Sequence, residues 1–158
     1  MSEAGEIASR PRVVHDETCE PLLPYRFEFD AKNRILRGVF EGAVTDQSLM
    51  EFYGAAACAL RDTNPRGSFT DFSGVSSFEV SPEAIRALAA RAPADPLASR
   101  PRAIVAPTAQ IFGLARMFEL SGDATRPNLH VVRTTREAYA LLGVTEPHFE
   151  PIEQGRTR

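Results

Sequence analysis

Between Gly67 and Ala90 the chain reads GSFTDFSGVSSFEVSPEAIRALAA. Ser68–Phe72 has the character of a buried strand, and the Ser- and Gly-rich stretch after it reads as a polar bend. Ser81 followed by Pro82 marks a helix start. Serine satisfies free N–H groups there, and proline at the first helical position gives up no hydrogen bond. Ile85, Leu88 and Ala89 then recur on one helical face. A strand that hands over to a helix within a few residues commits the chain to helices packed on a sheet. Such junctions are where α/β domains place anion sites, cofactor sites and switch residues.

The rest of the sequence repeats the alternation. Tyr25, Phe27 and Phe29 alternate with Arg26, Glu28 and Asp30, a strand period. Ala31–Asn33 is a turn and Ile35–Phe40 a second strand, so these two form an antiparallel hairpin. Thr45 caps a helix whose inner face carries Leu49, Phe52, Ala56 and Leu60, with Tyr53 beside it. Asn64–Gly67 breaks the chain ahead of the strand at Ser68. A loop at Pro93–Pro101 precedes a strand at Ala103–Ala106. Thr108 caps a third helix with Ile111, Leu114, Ala115 and Phe118 inward, ending near Gly122. Leu129–Val132 is the last expected strand. Thr134 and Glu137 match a capping box for a final helix that buries Ala138, Leu141 and Leu142 and stops at Gly143. The expected class is α/β: an N-terminal β-hairpin, then βαβαβα-type alternation, with a mostly parallel central sheet and helices mainly on one face.

The length of 158 residues suits one domain and is short for two. Residues 1–24 are polar, carry three prolines and read as a flexible arm, with Arg12–His15 a candidate edge strand. Residues 25–143 form the domain and 144–158 a loose tail. The net charge of −3 gives no general attraction to nucleic acid. No apolar run approaches the ~20 residues of a membrane span, and the N-terminus has no signal-peptide core. Two cysteines, Cys19 and Cys58, form no metal motif and by number neither require nor exclude a disulfide; the expected setting is cytoplasmic, with both thiols reduced. His15, His130 and His148 lack ligand spacing to those cysteines, and neither a metal nor a cofactor is expected.

The candidate site residues cluster at strand ends and helix starts. Asp71, Ser73, Ser76, Ser77 and Ser81 surround one junction, and Thr108 and Gln110 lie at the next. Unpaired N–H groups at helix starts favour anions. Ser76, Ser77 and Ser81 are the phosphorylation candidates, since a phosphate would add about −2 charge to that edge. Capping and loop hydrogen bonds are the structural alternative for all of them. Ser73 is followed by Gly74, yet no partnered base is evident, and a nucleophile without one is weak. Arg116 and Glu119 are spaced to pair on a helix surface.

Asp71-Phe72-Ser73-Gly74-Val75, together with the element order, resembles the STAS-like domains, which include the bacterial anti-sigma-factor antagonists. In that family a strand ends in a sequence like Asp-Leu-Ser-Gly-Val. An Asp-Ser-Ser-Gly stretch follows at a helix start, where one serine can be phosphorylated. Here Glu79-Val80-Ser81-Pro82 falls on that second stretch, with Val80 at the usual phosphoacceptor position and Pro82 at the glycine. The hairpin and the short strand at Ala103 also resemble bacterial proteins grouped between STAS and SEC14-like domains. The resemblance implies a non-enzymatic regulatory domain that binds a protein partner or small ligand. Its SEC14-like side implies instead a carrier of lipid or another apolar molecule. A small enzyme is a third reading, and a second copy of the chain is a further candidate partner. A carrier would need an apolar cavity of a few hundred Å³ near Phe112, Leu114 and Phe118.

Overall fold

A computed structural model describes residues 23–91, 100–121 and 128–153. Residues 1–22 of the expected arm, with His15 and Cys19, most of the expected loop at Pro93–Pro101 and the helix end at Gly122 lie outside the described residues. Strand β1 (Tyr25–Asp30) and strand β2 (Ile35–Thr45) form the hairpin, in register from Tyr25 opposite Phe40 to Asp30 opposite Ile35. The turn is held from within. Asp30 accepts hydrogen bonds from the backbone N–H of Asn33 at 2.9 Å and from its Nδ2 at 2.8 Å. Helix α1 (Asp46–Thr63) follows directly, with Thr45 and Ser48 forming a reciprocal capping box. Then come β3 (Gly67–Glu79), α2 (Pro82–Ala90), β4 (Arg102–Val105), α3 (Ala109–Ser121), β5 (Leu129–Val132), α4 (Thr135–Leu142) and a short β6 (Glu150–Pro151).

The strands form one six-stranded sheet in the order β5-β4-β3-β2-β1-β6. β2, β3, β4 and β5 are parallel neighbours, while β1 runs antiparallel to both β2 and β6. The sheet is therefore mixed rather than mostly parallel, because the hairpin and the C-terminal segment add two antiparallel pairings at one side. From β2 to β5 the order advances one strand at a time in a single direction. Right-handed crossovers then put α1, α2 and α3 on the same face. Phe52 of α1, Leu88 of α2 and Phe118 of α3 accordingly share one core with Phe27, Phe40 and Phe72 of the sheet. Its rings pack closely, with Phe27–Phe52 at 5.0 Å and Phe40–Phe72 at 4.9 Å between centroids. Helix α4 closes the opposite face, where Ala138 and Leu142 cover Ile35, Phe69, Ala103 and Val105.

Two segments differ from the sequence expectation. The stretch after Phe72 is strand, not bend: β3 continues to Glu79, paired with an equally extended β2 through Thr45. Two register shifts accommodate the extension, between Val39 and Glu41 and between Gly42 and Ala43. Gly74 sits at this irregularity, where a Cβ would lie 3.0 Å from Glu41 Cγ and 3.3 Å from the Phe40 carbonyl oxygen. Val44 and Phe78 pack into the core from the paired strands. Tertiary pairing thus overrides the turn preference of Ser and Gly.

The second difference is the C-terminal segment. The sequence reads 144–158 as a loose tail, whereas residues 144–153 form a strap across the α4 face. Glu150 and Pro151 pair with Phe29 and Glu28, and Phe149 stacks on Tyr139 with its ring edge to Phe69. Thr145 and Asn33 exchange two hydrogen bonds, and the backbone N–H of His148 donates to Asp30 at 2.9 Å. Leu141, expected inward, is exposed on α4.

Candidate ligand pocket and the polar strand ends

The polar residues singled out by sequence do not converge. Asp71 points to the α4 face, away from α2 and α3, and is almost fully buried. Its carboxylate accepts from Arg37 Nη2 at 2.6 Å and from the backbone N–H of Ser73 at 2.9 Å. Burial pushes the Asp71 carboxyl up, and the hydrogen bonds from Ser73 and Arg37 outweigh it, holding the group below the usual carboxylate value. Arg37 also pairs with Glu28 at 3.1 Å and lies over the rings of Phe69 and Phe149. This cluster ties β1, β2, β3 and the strap together.

On the other face, Ser81 caps α2 by accepting from Ala84 N at 3.1 Å, while its N–H and hydroxyl donate to the Asp46 carboxylate. Thr108 accepts from Ile111 N at 3.2 Å and so caps α3, as expected. Gln110 Nε2 donates to the Phe78 carbonyl at 2.9 Å, fastening α3 to the end of β3. These three side chains are engaged in structure. Ser73, Ser76 and Ser77 are exposed on the β2–β3 extension. Because the strand order never reverses between β2 and β5, no topological switch point falls at these strand ends among the described residues.

Concave space lies between the sheet and the helices instead. A pocket of about 120 Å³ sits under α1, floored by Leu36, Gly38, Ser68, Thr70 and Ile104. Tyr53, Ala56, Ala57 and Leu60 of α1 and Phe118 of α3 form its roof and wall. A neighbouring pocket of about 70 Å³ reaches toward α2 between Leu49, Ile85, Ile111 and Leu114. Phe52, Tyr53, Thr70, Ile104 and Phe118 line both, so the two adjoin. The Tyr53 and Phe118 rings meet edge-on at 5.8 Å along that boundary.

The local cause is side-chain size. Ala56 and Ala57 stand where α1 passes over the sheet, and neither reaches the floor. Gly38 in β2 lets the Phe52 ring press on the backbone, since a Cβ there would fall 2.6 Å from Phe52 Cζ. Phe52 therefore tucks down and leaves the space beside it unfilled. Leu114 and Phe118 line the space as the carrier reading required, whereas Phe112 lies outside it, with the Arg133 guanidinium 4.1 Å from its ring centre.

Sequence reasoning missed Ser68 and Thr70 as pocket residues. Their signal was present: within GSFTDF, Ser68, Thr70 and Phe72 share one face of the strand, so two hydroxyls alternate on a face that also buries Phe72. The remaining lining is apolar apart from Tyr53 and Arg102. No cluster of His, Cys, Asp or Glu among the described residues has the makings of a metal site, and no described helix is long and apolar enough to cross a membrane. Arg116 and Glu119 pair on α3, as their spacing implies. No family model matches this chain, and no curated protein matches it.

Proposed function

We propose that this chain is a non-enzymatic, STAS-like binding domain that takes a small apolar molecule between the sheet and α1–α3. A regulatory role in the bacterial cytoplasm is the setting we propose for it. The observation that carries the reading is the pair of adjoining pockets roofed by α1 and α3. An apolar concavity with a few polar groups is the general form of a small-molecule site. The STAS-like part is supported by the stepwise strand order from β2 to β5 and by Asp71–Val75 at the point where β3 runs past the end of β4. Volumes of about 120 Å³ and 70 Å³ favour a small ring compound over a lipid, whose chain needs several times that space. The lining supplies hydroxyls but no carboxylate, imidazole or thiol among the described residues, so no base stands beside a nucleophile there.

Thermal denaturation with and without millimolar benzene, toluene or indole tests the proposal. Saturable stabilisation of the wild type, abolished in Ala56→Leu, is the expected result. Ala56→Leu fills the pocket and by itself raises stability by about 1 kcal/mol. An unchanged midpoint at every concentration overturns it.

A second reading is favoured by one observation: Ser76 and Ser77 are exposed on the β2–β3 extension, which projects past the ends of β1 and β4. A phosphate there would change the charge of a partner-facing strand. Intact mass of protein taken from its native host tests it. An additional 80 Da on a subpopulation is expected (about the mass of one phosphoryl group), and a single unmodified mass in every growth state counts against it.

A further inference from the structure

Ser68 and Thr70 give the pocket a chemical preference. Residues two apart on a strand stand on the same face about 6.5 Å apart. Here both line the space under α1, and Thr70 lines the neighbouring space too. No hydrogen bond joins either hydroxyl to another described residue, and neither is among the buried unpaired side-chain atoms, so both hydroxyls are accessible from the pocket. Polar groups inside a fold are ordinarily paired, and one left open toward a pocket is completed by whatever occupies it. The surrounding walls are rings: Phe27, Phe52, Tyr53 and Phe118. Aromatic walls favour a flat ring packed edge-on or offset. A volume of about 120 Å³ is close to the size of an apolar cavity known to accept benzene.

We propose that the ligand of this pocket is a single-ring aromatic compound bearing one hydrogen-bonding substituent, of phenol or benzyl alcohol type, with the substituent held by the hydroxyls of Thr70 and Ser68. This inference rests on the small-ligand reading above. The ring fills the space left by Ala56 and Ala57, and the substituent exchanges hydrogen bonds with the strand. A threonine hydroxyl both donates and accepts, so Thr70 serves a phenol or an alcohol equally well.

The test is calorimetric or NMR titration of the full chain with phenol and with toluene, which differ in the substituent alone. Both probes are neutral, which keeps the charge of Arg102, also in the lining, out of the comparison. Thr70→Val removes the hydroxyl at nearly constant shape, and Thr70→Ser restores it. Thr70→Val is expected to weaken phenol about 5- to 10-fold, the value of one hydrogen bond, while toluene changes less than about 2-fold. Thr70→Ser is expected to return phenol to within about 2-fold of wild type. Ser68→Ala supplies the same comparison at the second hydroxyl, and retained toluene binding certifies each variant as folded. If toluene binds and Thr70→Val alters both probes alike, the inference is overturned and the small-ligand reading stands. If neither probe binds the wild type, both are overturned.

Discussion

At the scale of single residues, two contacts decide how the sheet carries its covering helices. Gly38 is one, because Phe52 occupies the place of its missing Cβ. Gly38→Ala forces the ring upward into the pocket, with a cost of about 1–3 kcal/mol expected from overpacking; urea unfolding measures it. Arg37 is the other. With Arg37 removed, the almost fully buried Asp71 keeps only its hydrogen bonds from Ser73. Breaking a buried pair from one side costs about 3–5 kcal/mol, and because Arg37 is partly exposed the expected loss for Arg37→Met is nearer 2 kcal/mol. The same urea experiment reads it, and Asp71→Asn in the Arg37→Met background is expected to recover part of the loss.

Acid tests Asp30 and Asp71 together. Burial raises the Asp30 carboxyl, but hydrogen bonds from Asn33 and His148 outweigh it, so Asp30, like Asp71, lies below the ordinary carboxylate value. A depressed carboxyl contributes its stability in full above the unfolded value of about 3.9 and loses it as pH falls through the folded value. Melting temperature is therefore expected to drop below about pH 4. Asp30→Asn is less stable than wild type at neutral pH, and the gap closes toward about pH 2. A gap that stays constant across that range contradicts the assignment.

Among the elements, the helix starts were the most legible. Thr45, Ser81, Thr108 and Thr134 each accept from the backbone N–H three residues on, because a hydroxyl in that position is a local device that needs no tertiary partner. The ends of β2 and β3 were not legible. Gly42, Ser73, Gly74, Ser76 and Ser77 are turn formers by local preference, and only the pairing of two remote segments makes them strand. The strap was hidden for a similar reason: β6 has two residues, one of them Pro151, and its hold comes from Phe149 and from hydrogen bonds to the hairpin turn. Phe149→Ala removes a ring from Tyr139, Phe69 and Arg37 at once. A loss of about 2 kcal/mol is expected, below the 3–5 of a fully buried ring because Phe149 is half-buried. Hydrogen exchange would show the backbone N–H groups of Thr145, His148 and Ile152 losing protection before the central strands.

For the whole molecule, the stepwise strand order has a functional consequence. It gathers α1, α2 and α3 on one face, and the two adjoining pockets among the described residues lie beneath α1 and α3 rather than at the strand ends. Periodicity placed Ala56 and Leu60 on the inner face of α1 correctly. It could not show that nothing fills the space they face, because a hydrophobic pattern reports direction and not packing. The most direct measurement is a methyl NMR titration of the full chain with toluene. Saturable shifts centred on Leu36, Leu60, Thr70 and Ile104, with the strap residues unchanged, are the expected result. Shifts confined to Val75 and Ala43 on the β2–β3 extension, or no saturable shift at all, would contradict the pocket as the binding site.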